Sequence, residues 1–223
     1  MLRYLLVLSV LCFGCGIVHG EIKAAGENPS QALLSPEKEI ELALKAAPVH
    51  LRNEATVYVF GKRGYEKART GSNGFSCMVN RDGTQEGDNT LHPTCWDPEG
   101  SRTILRVMLR VGELIAQERS AAEIKRDIDE GFAQGRFHSP DKSGIAYMLA
   151  GDVKFDPKTG QLAATVFAPH YMIYAPGVTN ADIGMSKEAT TPGLPFVYSG
   201  YSGGARTAYI IIMAADSAPH TMH

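Results

Sequence analysis

The chain has 223 residues, 44% hydrophobic and 21% charged, enough apolar side chains for the core of one globular domain. Collagen-like, coiled-coil and wholly disordered chains are excluded by that balance. Its 22 Lys and Arg stand against 24 Asp and Glu, a formal net charge of −2, so no basic field favours nucleic acid as a partner.

Arg3 precedes an uncharged run, 4–18, rich in Leu, Val and Cys. The run is shorter than the roughly 20 apolar residues that span a bilayer. Val18-His19-Gly20 puts compact residues three and one positions before a cut, so residues 1–20 read as a signal peptide with Glu21 as the mature N-terminus. No stable membrane span is expected after cleavage, which implies a periplasmic or secreted protein. Two alternatives are an uncleaved anchor and a lipoprotein acylated at Cys15 of Phe13-Gly14-Cys15, although Cys12 stands where such signals carry Leu. Cleavage removes Cys12 and Cys15 and leaves Cys77 and Cys95, and an even pair in an oxidising compartment points to a disulfide. Closing that 18-residue span removes about 3 kcal/mol of unfolded-chain entropy. The alternative, a reactive or metal-binding thiol pair helped by His92, lacks the paired spacing of a zinc site.

Glu21 to Gln31 is polar, with Gly26, Asn28 and Pro29, and 21–34 reads as a flexible leader; a single domain is expected over 35–215 and a tail over 216–223. Ser35-Pro36-Glu37 offers a cap, a first-turn proline and an acid, followed by Ile40, Leu44 and Ala47, which predicts a short helix from Pro36 to about Ala46. Thr56 to Phe60 and Tyr65 to Arg69, joined through Gly61-Lys62-Arg63-Gly64, predict a hairpin. Phe75 to Asn80 alternates, with Phe75, Cys77 and Val79 on one face. Arg81 to Thr94 reads as a polar loop tethered by Cys95.

From Ser101 the period changes: Ile104, Val107, Met108, Val111, Leu114 and Ile115 share one helical face, and Arg102, Arg106 and Arg110 line another. Ser120-Ala121-Ala122-Glu123 is a capping box, with Ile124, Ile128 and Phe132 behind it, so a second helix ends near Gly131 and Gly135. Ile145 to Ala150, Gln161 to Phe167, His170 to Tyr174 and Tyr209 to Met213 read as strands, with a turn over 156–160. Helices and strands in blocks predict an α+β fold: a mainly antiparallel sheet, a central helical hairpin packed on one face, and a short N-terminal helix.

Gly200-Tyr201-Ser202-Gly203-Gly204 matches the G-x-S-x-G nucleophile elbow, which would make Ser202 a catalytic serine. Only Asp216, His220 and His223 follow it as acid and base, and Tyr209 to Ile212 carries a strand signature where the elbow needs a helix, so a glycine-rich turn is the simpler reading. His170 shares a strand face with Met172 and Tyr174, and could form a ligand-binding or catalytic site with the loop acids Asp97, Glu99 and Asp182. No metal motif accompanies it. Arg102 and Arg106, near a helix start, could receive an anion. His220-Thr221-Met222-His223 carries metal donors on a tail that reads as frayed.

Asn73-Gly74-Phe75-Ser76-Cys77-Met78-Val79, Cys95-Trp96-Asp97-Pro98-Glu99-Gly100-Ser101, Pro169 to Tyr174 and Thr179 to Gly184 resemble blocks in a family of exported bacterial proteins without an established activity. The resemblance spans most of the mature chain and implies an exported bacterial context, with no activity or site residue to carry over. The expectation is a small ligand-binding or interaction domain whose partner is a small molecule or an envelope protein. The rival is a cell-envelope hydrolase using Ser202 or a metal near His170. The residues single out no cofactor.

Mass spectrometry of envelope fractions should find the N-terminus at Glu21, and full-length chain confined to the cytoplasm would overturn export.

Overall fold

Strands with alternating burial (Ile145–Met148, Val153–Asp156 and His170–Tyr174) and a fully buried central strand (Ser76–Asn80) build one large, mostly antiparallel sheet, and a few helices cover parts of it. The computed structural model describes residues 33–81, 90–156, 158–164, 167–185, 193–200 and 202–214. In chain order the elements are α1 (Pro36–Lys45), α2 (Val49–Arg52), β1 (Thr56–Gly61), β2 (Gly64–Arg69), β3 (Ser76–Asn80) and β4 (Thr90–Trp96). Then come α3 (Pro98–Arg102), α4 (Ile104–Ala116), α5 (Ala121–Ala133), β5 (Ile145–Met148), β6 (Val153–Asp156) and β7 (Gln161–Ala164), and finally β8 (His170–Tyr174), β9 (Phe196–Tyr198) and β10 (Tyr209–Met213). The order across the sheet is β2-β1-β3-β4-β5-β8-β10-β9, with β6 pairing β4 and β7. Among the described strands only β1 and β3 pair in parallel.

Two apolar clusters lie on the two faces. Met78, Trp96, Met148, Met172 and Tyr209 point to the side where α4 and α5 contribute Met108, Val111, Ile124 and Ile128. Val57, Cys77, Val79 and Leu91 point to the other side, against Leu42 and Ala43 of α1. Trp96 Nε1 donates to the Tyr209 hydroxyl at 3.0 Å, satisfying the indole inside the first cluster and linking β4 to β10. Among the described residues no helix is long and apolar enough to cross a membrane.

Cys77 and Cys95 face each other directly in register and are disulfide-bonded. The stretch read as a polar loop from Arg81 to Thr94 needs correction: β4 begins at Thr90, while 82–89 lie outside the described residues. Pro93 obscured the strand. It pairs with Val79, whose carbonyl points away from β4 to accept from Tyr65, so the position that lacks an N–H faces the gap between the β4 pairings with β6 and β5. The helix expected from Ser101 is two helices. Asp97 caps α3 by accepting from Gly100 N at 2.9 Å, and the chain breaks at Thr103 before α4 begins. A further strand, β6, had not been expected.

The parallel contact of β1 with β3 covers only Thr56↔Ser76 and Val57↔Cys77, after which the strands separate. Side chains fill the opening. Phe60 N donates to Glu39 Oε1 at 2.8 Å, and Arg81 Nη1 donates to the same oxygen at 2.9 Å and to Val79 O at 3.1 Å. The Tyr65 hydroxyl donates to Val79 O and accepts from Arg81 N, at 2.9 and 2.8 Å. Glu39 is 0% and Arg81 3% exposed, and the guanidinium lies 4.6 Å from the Phe60 ring centre. Burial pushes the Tyr65 phenol far above its ordinary range, so it stays a neutral donor.

Breaking such a pair strands a buried charge, which typically costs about 3–5 kcal/mol. Glu39→Gln should therefore lower unfolding stability by that order in urea titration with the disulfide intact. A loss under about 1 kcal/mol would show the pair to be peripheral.

Candidate functional site

The residues singled out from the sequence fall into separate places. Alternation along β8 puts His170, Met172 and Tyr174 on one face, but His170 and Tyr174 stand at opposite ends of the strand. At one end the Tyr174 hydroxyl lies 2.7 Å from Asp97 Oδ1 and 2.9 Å from Ile145 O, while Asp97 Oδ2 accepts from Ile145 N at 3.0 Å. Asp97 thus caps α3 and ties it to β5 and β8. The packing is closed: a Cβ on Gly100 would lie 2.2 Å from the Tyr174 hydroxyl. Burial, with the neighbouring Tyr209 and Asp97, holds the Tyr174 phenol far above its usual range. This is a structural junction.

His170 is 0% exposed at the other end. Its Nδ1 lies 2.8 Å from Ala168 O, its ring is 4.6 Å from the ring of Phe167, and Nε2 has no hydrogen-bond partner among the described residues. Asp97, Glu99 and Asp182 are not its companions. Nearby are Asp152 and His92, themselves paired at 2.9 Å. Glu99 accepts from Arg102 Nε and Nη2, each at 2.9 Å, and from Asp141 N at 2.8 Å. Asp182 accepts from Thr179 N and Oγ1 within its own turn. Among the described residues no group of three or more His, Cys, Asp or Glu side chains is placed to hold a metal ion.

The arginine row is also divided. Arg102 belongs to α3 and is engaged by Glu99 and Asp141; Arg110, on α4, is engaged by Asp127 and Glu113; Arg106 is exposed on α4. Arg102 and Arg110 are thus each held by two carboxylates of their own, and the row does not act as one anion-binding group.

Concavity occurs where the serine motif lies. A cleft of about 640 Å³ opens between residues 121–129 of α5 and the segments 199–200 and 202–206. Small residues make the space: Ala121 and Ala122 on the helix side, Gly200, Gly203 and Gly204 on the turn side. Ser202 lines it and is itself 5% exposed. The motif is not followed by an α-helix. A 3-10 turn, Gly204–Thr207, leads straight into β10. Gly203 has φ +104°, and a Cβ there would lie 2.7 Å from Thr207 Oγ1, so both backbone and space require glycine. Thr207 Oγ1 donates to Ser202 O at 3.0 Å and closes the turn.

The charged groups of the cleft had escaped notice in the sequence. Asp129 of α5 accepts from Lys125 Nζ at 2.5 Å through one oxygen and from Arg206 Nη2 through the other. Arg206 also lies over the Phe132 ring, 4.6 Å from its centre. These contacts hold the Asp129 carboxyl below its ordinary range, the Lys125 hydrogen bond being the largest cause. Lys125 and Asp129 show the i, i+4 spacing of a helix pair, but nothing local ties Arg206 to them. No histidine of the described residues lines the cleft; Asp216, His220, His223 and Tyr201 lie outside those residues.

The chain matches no protein-family model, and comparison with curated proteins and with solved structures likewise returns no match.

Burial lowers the His170 pKa from its ordinary value of 6.5. The unfolded chain therefore binds this proton more readily than the folded one. The associated stability is present above pH 6.5 and is lost as pH falls below it, toward the depressed folded value. His170→Gln should flatten the fall in urea midpoint between about pH 7 and 5 relative to the parent. An unchanged slope would assign the proton elsewhere.

Proposed function

We propose that the chain is an exported domain that binds a small molecule in the cleft between α5 and the segments 199–200 and 202–206. The observation carrying this reading is the cleft, which is of ligand size and is lined by small residues with three charged groups. In this reading α4 and α5 act as a helical hairpin packed on one sheet face, and the exposed side of α5 is one wall of the site. The Cys77–Cys95 bond supports an oxidising compartment, periplasmic or extracellular, and with it removal of residues 1–20 as a signal peptide. Membership of a family of exported bacterial proteins is part of the same proposal.

The cell-envelope hydrolase is the second reading, because Ser202 lines the cleft. An elbow serine needs a histidine about 3 Å away and a helix behind it. The turn leads into a strand instead, and the charged neighbours are Lys125, Asp129 and Arg206, with Lys125 held by Asp129.

A fluorophosphonate probe followed by peptide mapping separates the two. Ser202 should remain unmodified, and Ser202→Ala should unfold within about 1 kcal/mol of the parent. Stoichiometric labelling at Ser202 would replace the binding reading with the hydrolase.

A further inference from the structure

The geometry points to the ligand's chemical class: a small organic acid whose single carboxylate is received by Arg206 and Lys125. The inference rests on the cleft being a ligand site and deepens that reading.

Three observations carry it. First, among the described residues Lys125, Asp129 and Arg206 are the charged groups lining the cleft, two cations against one carboxylate, a surplus of positive charge that favours an anion. Second, Asp129 already shows that a carboxylate fits between the two cations: one oxygen takes Lys125 Nζ and the other takes Arg206 Nη2. Third, the guanidinium is only partly used. Among the described residues its side-chain hydrogen bond runs through Nη2 alone, which leaves the Nη1 protons for a second acceptor, while Nε is buried out of a ligand's reach. A planar guanidinium recognises carboxylates through paired parallel N–H groups, so an incoming acid can take donors that Asp129 leaves open. Lys125, 75% exposed, has further ammonium protons to offer. Phe132 beneath Arg206 keeps the guanidinium in place for this role. The described walls favour a compact body, because their alanines and glycines let it approach the backbone closely.

Asp129 is then a built-in competitor. Its charge repels the incoming carboxylate and occupies part of each cation. Removing that charge should tighten binding, an effect that a purely structural Asp129 would not produce.

The test uses isotope-labelled protein with its disulfide intact and a matched pair of probes, N-acetylalanine and N-acetylalaninamide, followed by amide chemical shifts. The acid should shift amides of 121–129 and 202–207, and the neutral amide should not. Arg206→Ala and Lys125→Met should each weaken the acid about tenfold, and Asp129→Asn should strengthen it about threefold or more. Lys125→Met keeps the test sound if Arg206→Ala disturbs the turn, since the lysine head is solvated. Equal shifts from both probes would overturn the carboxylate assignment and leave the cleft as a ligand site. Weaker binding by Asp129→Asn, or an unchanged affinity in Lys125→Met, would also overturn the assignment. Shifts from neither probe at these residues would remove both the assignment and the binding reading.

Discussion

The buried pair of Glu39 and Arg81 lets two differently built halves share one sheet. β1 leaves β3 after two paired positions, and the separation would expose Phe60 N and Val79 O inside the fold. An unpaired backbone group in an apolar interior is as costly as a lost hydrogen bond. Glu39, projecting from α1, takes the N–H; Arg81 and the Tyr65 hydroxyl take the carbonyl. Because each charged group also satisfies backbone, the pair does more than cancel its own desolvation. It fixes where α1 sits on β1 and β3, and with that the second apolar cluster.

The middle of the sheet is held differently. The Cys77–Cys95 bond joins β3 to β4 on the α1 side, while Met78 and Trp96 fill the helix side of the same strands. Trp96 reaches Tyr209 in β10, so position is carried from the disulfide-bonded pair to the far half of the sheet. There the short edge strand β9 needs its own protection. The Asn180 side chain supplies it, accepting from Val197 N at 2.7 Å and donating to Val197 O at 3.1 Å, as a neighbouring peptide unit would. Between β9 and β10 the chain turns against α5, and the cleft lies at that junction.

What could be read in the sequence follows from how local each cause is. The capping box at Ser120, the cap and proline at Ser35-Pro36, and the alternation of His170 to Tyr174 act within a few residues, and α5, α1 and β8 lie where these signals put them. The same cap-proline-acid signature recurs at Asp97-Pro98-Glu99 and starts α3, but the apolar period behind it belongs to α4 and masks the short helix. β4 was hidden by Pro93, whose acceptance depends on where β5 and β6 happen to pair. Site residues were harder, because their grouping is tertiary. Asp97 and Tyr174 do meet, 77 positions apart, but in a structural junction; Arg206 and Asp129 meet across the same separation and form the charged cleft.

The five residues that most resembled an enzyme motif therefore have a different physical account. Gly203 is required by its left-handed backbone and by the closeness of Thr207, and a Cβ there would also lie 3.3 Å from the Phe132 ring of α5. A nucleophile elbow uses glycines to thrust a serine into solvent above a sheet. Here the turn holds Ser202 almost fully buried and hands the chain to β10. The same small residues that mimic the elbow make room beside α5, and what they expose to a ligand is the charge arrangement of Lys125, Asp129 and Arg206. Among the described residues of the cleft the side chains of Lys125, Asp129 and Arg206 stand open to solvent, so those charges, rather than the buried serine, set the electrostatics of its mouth.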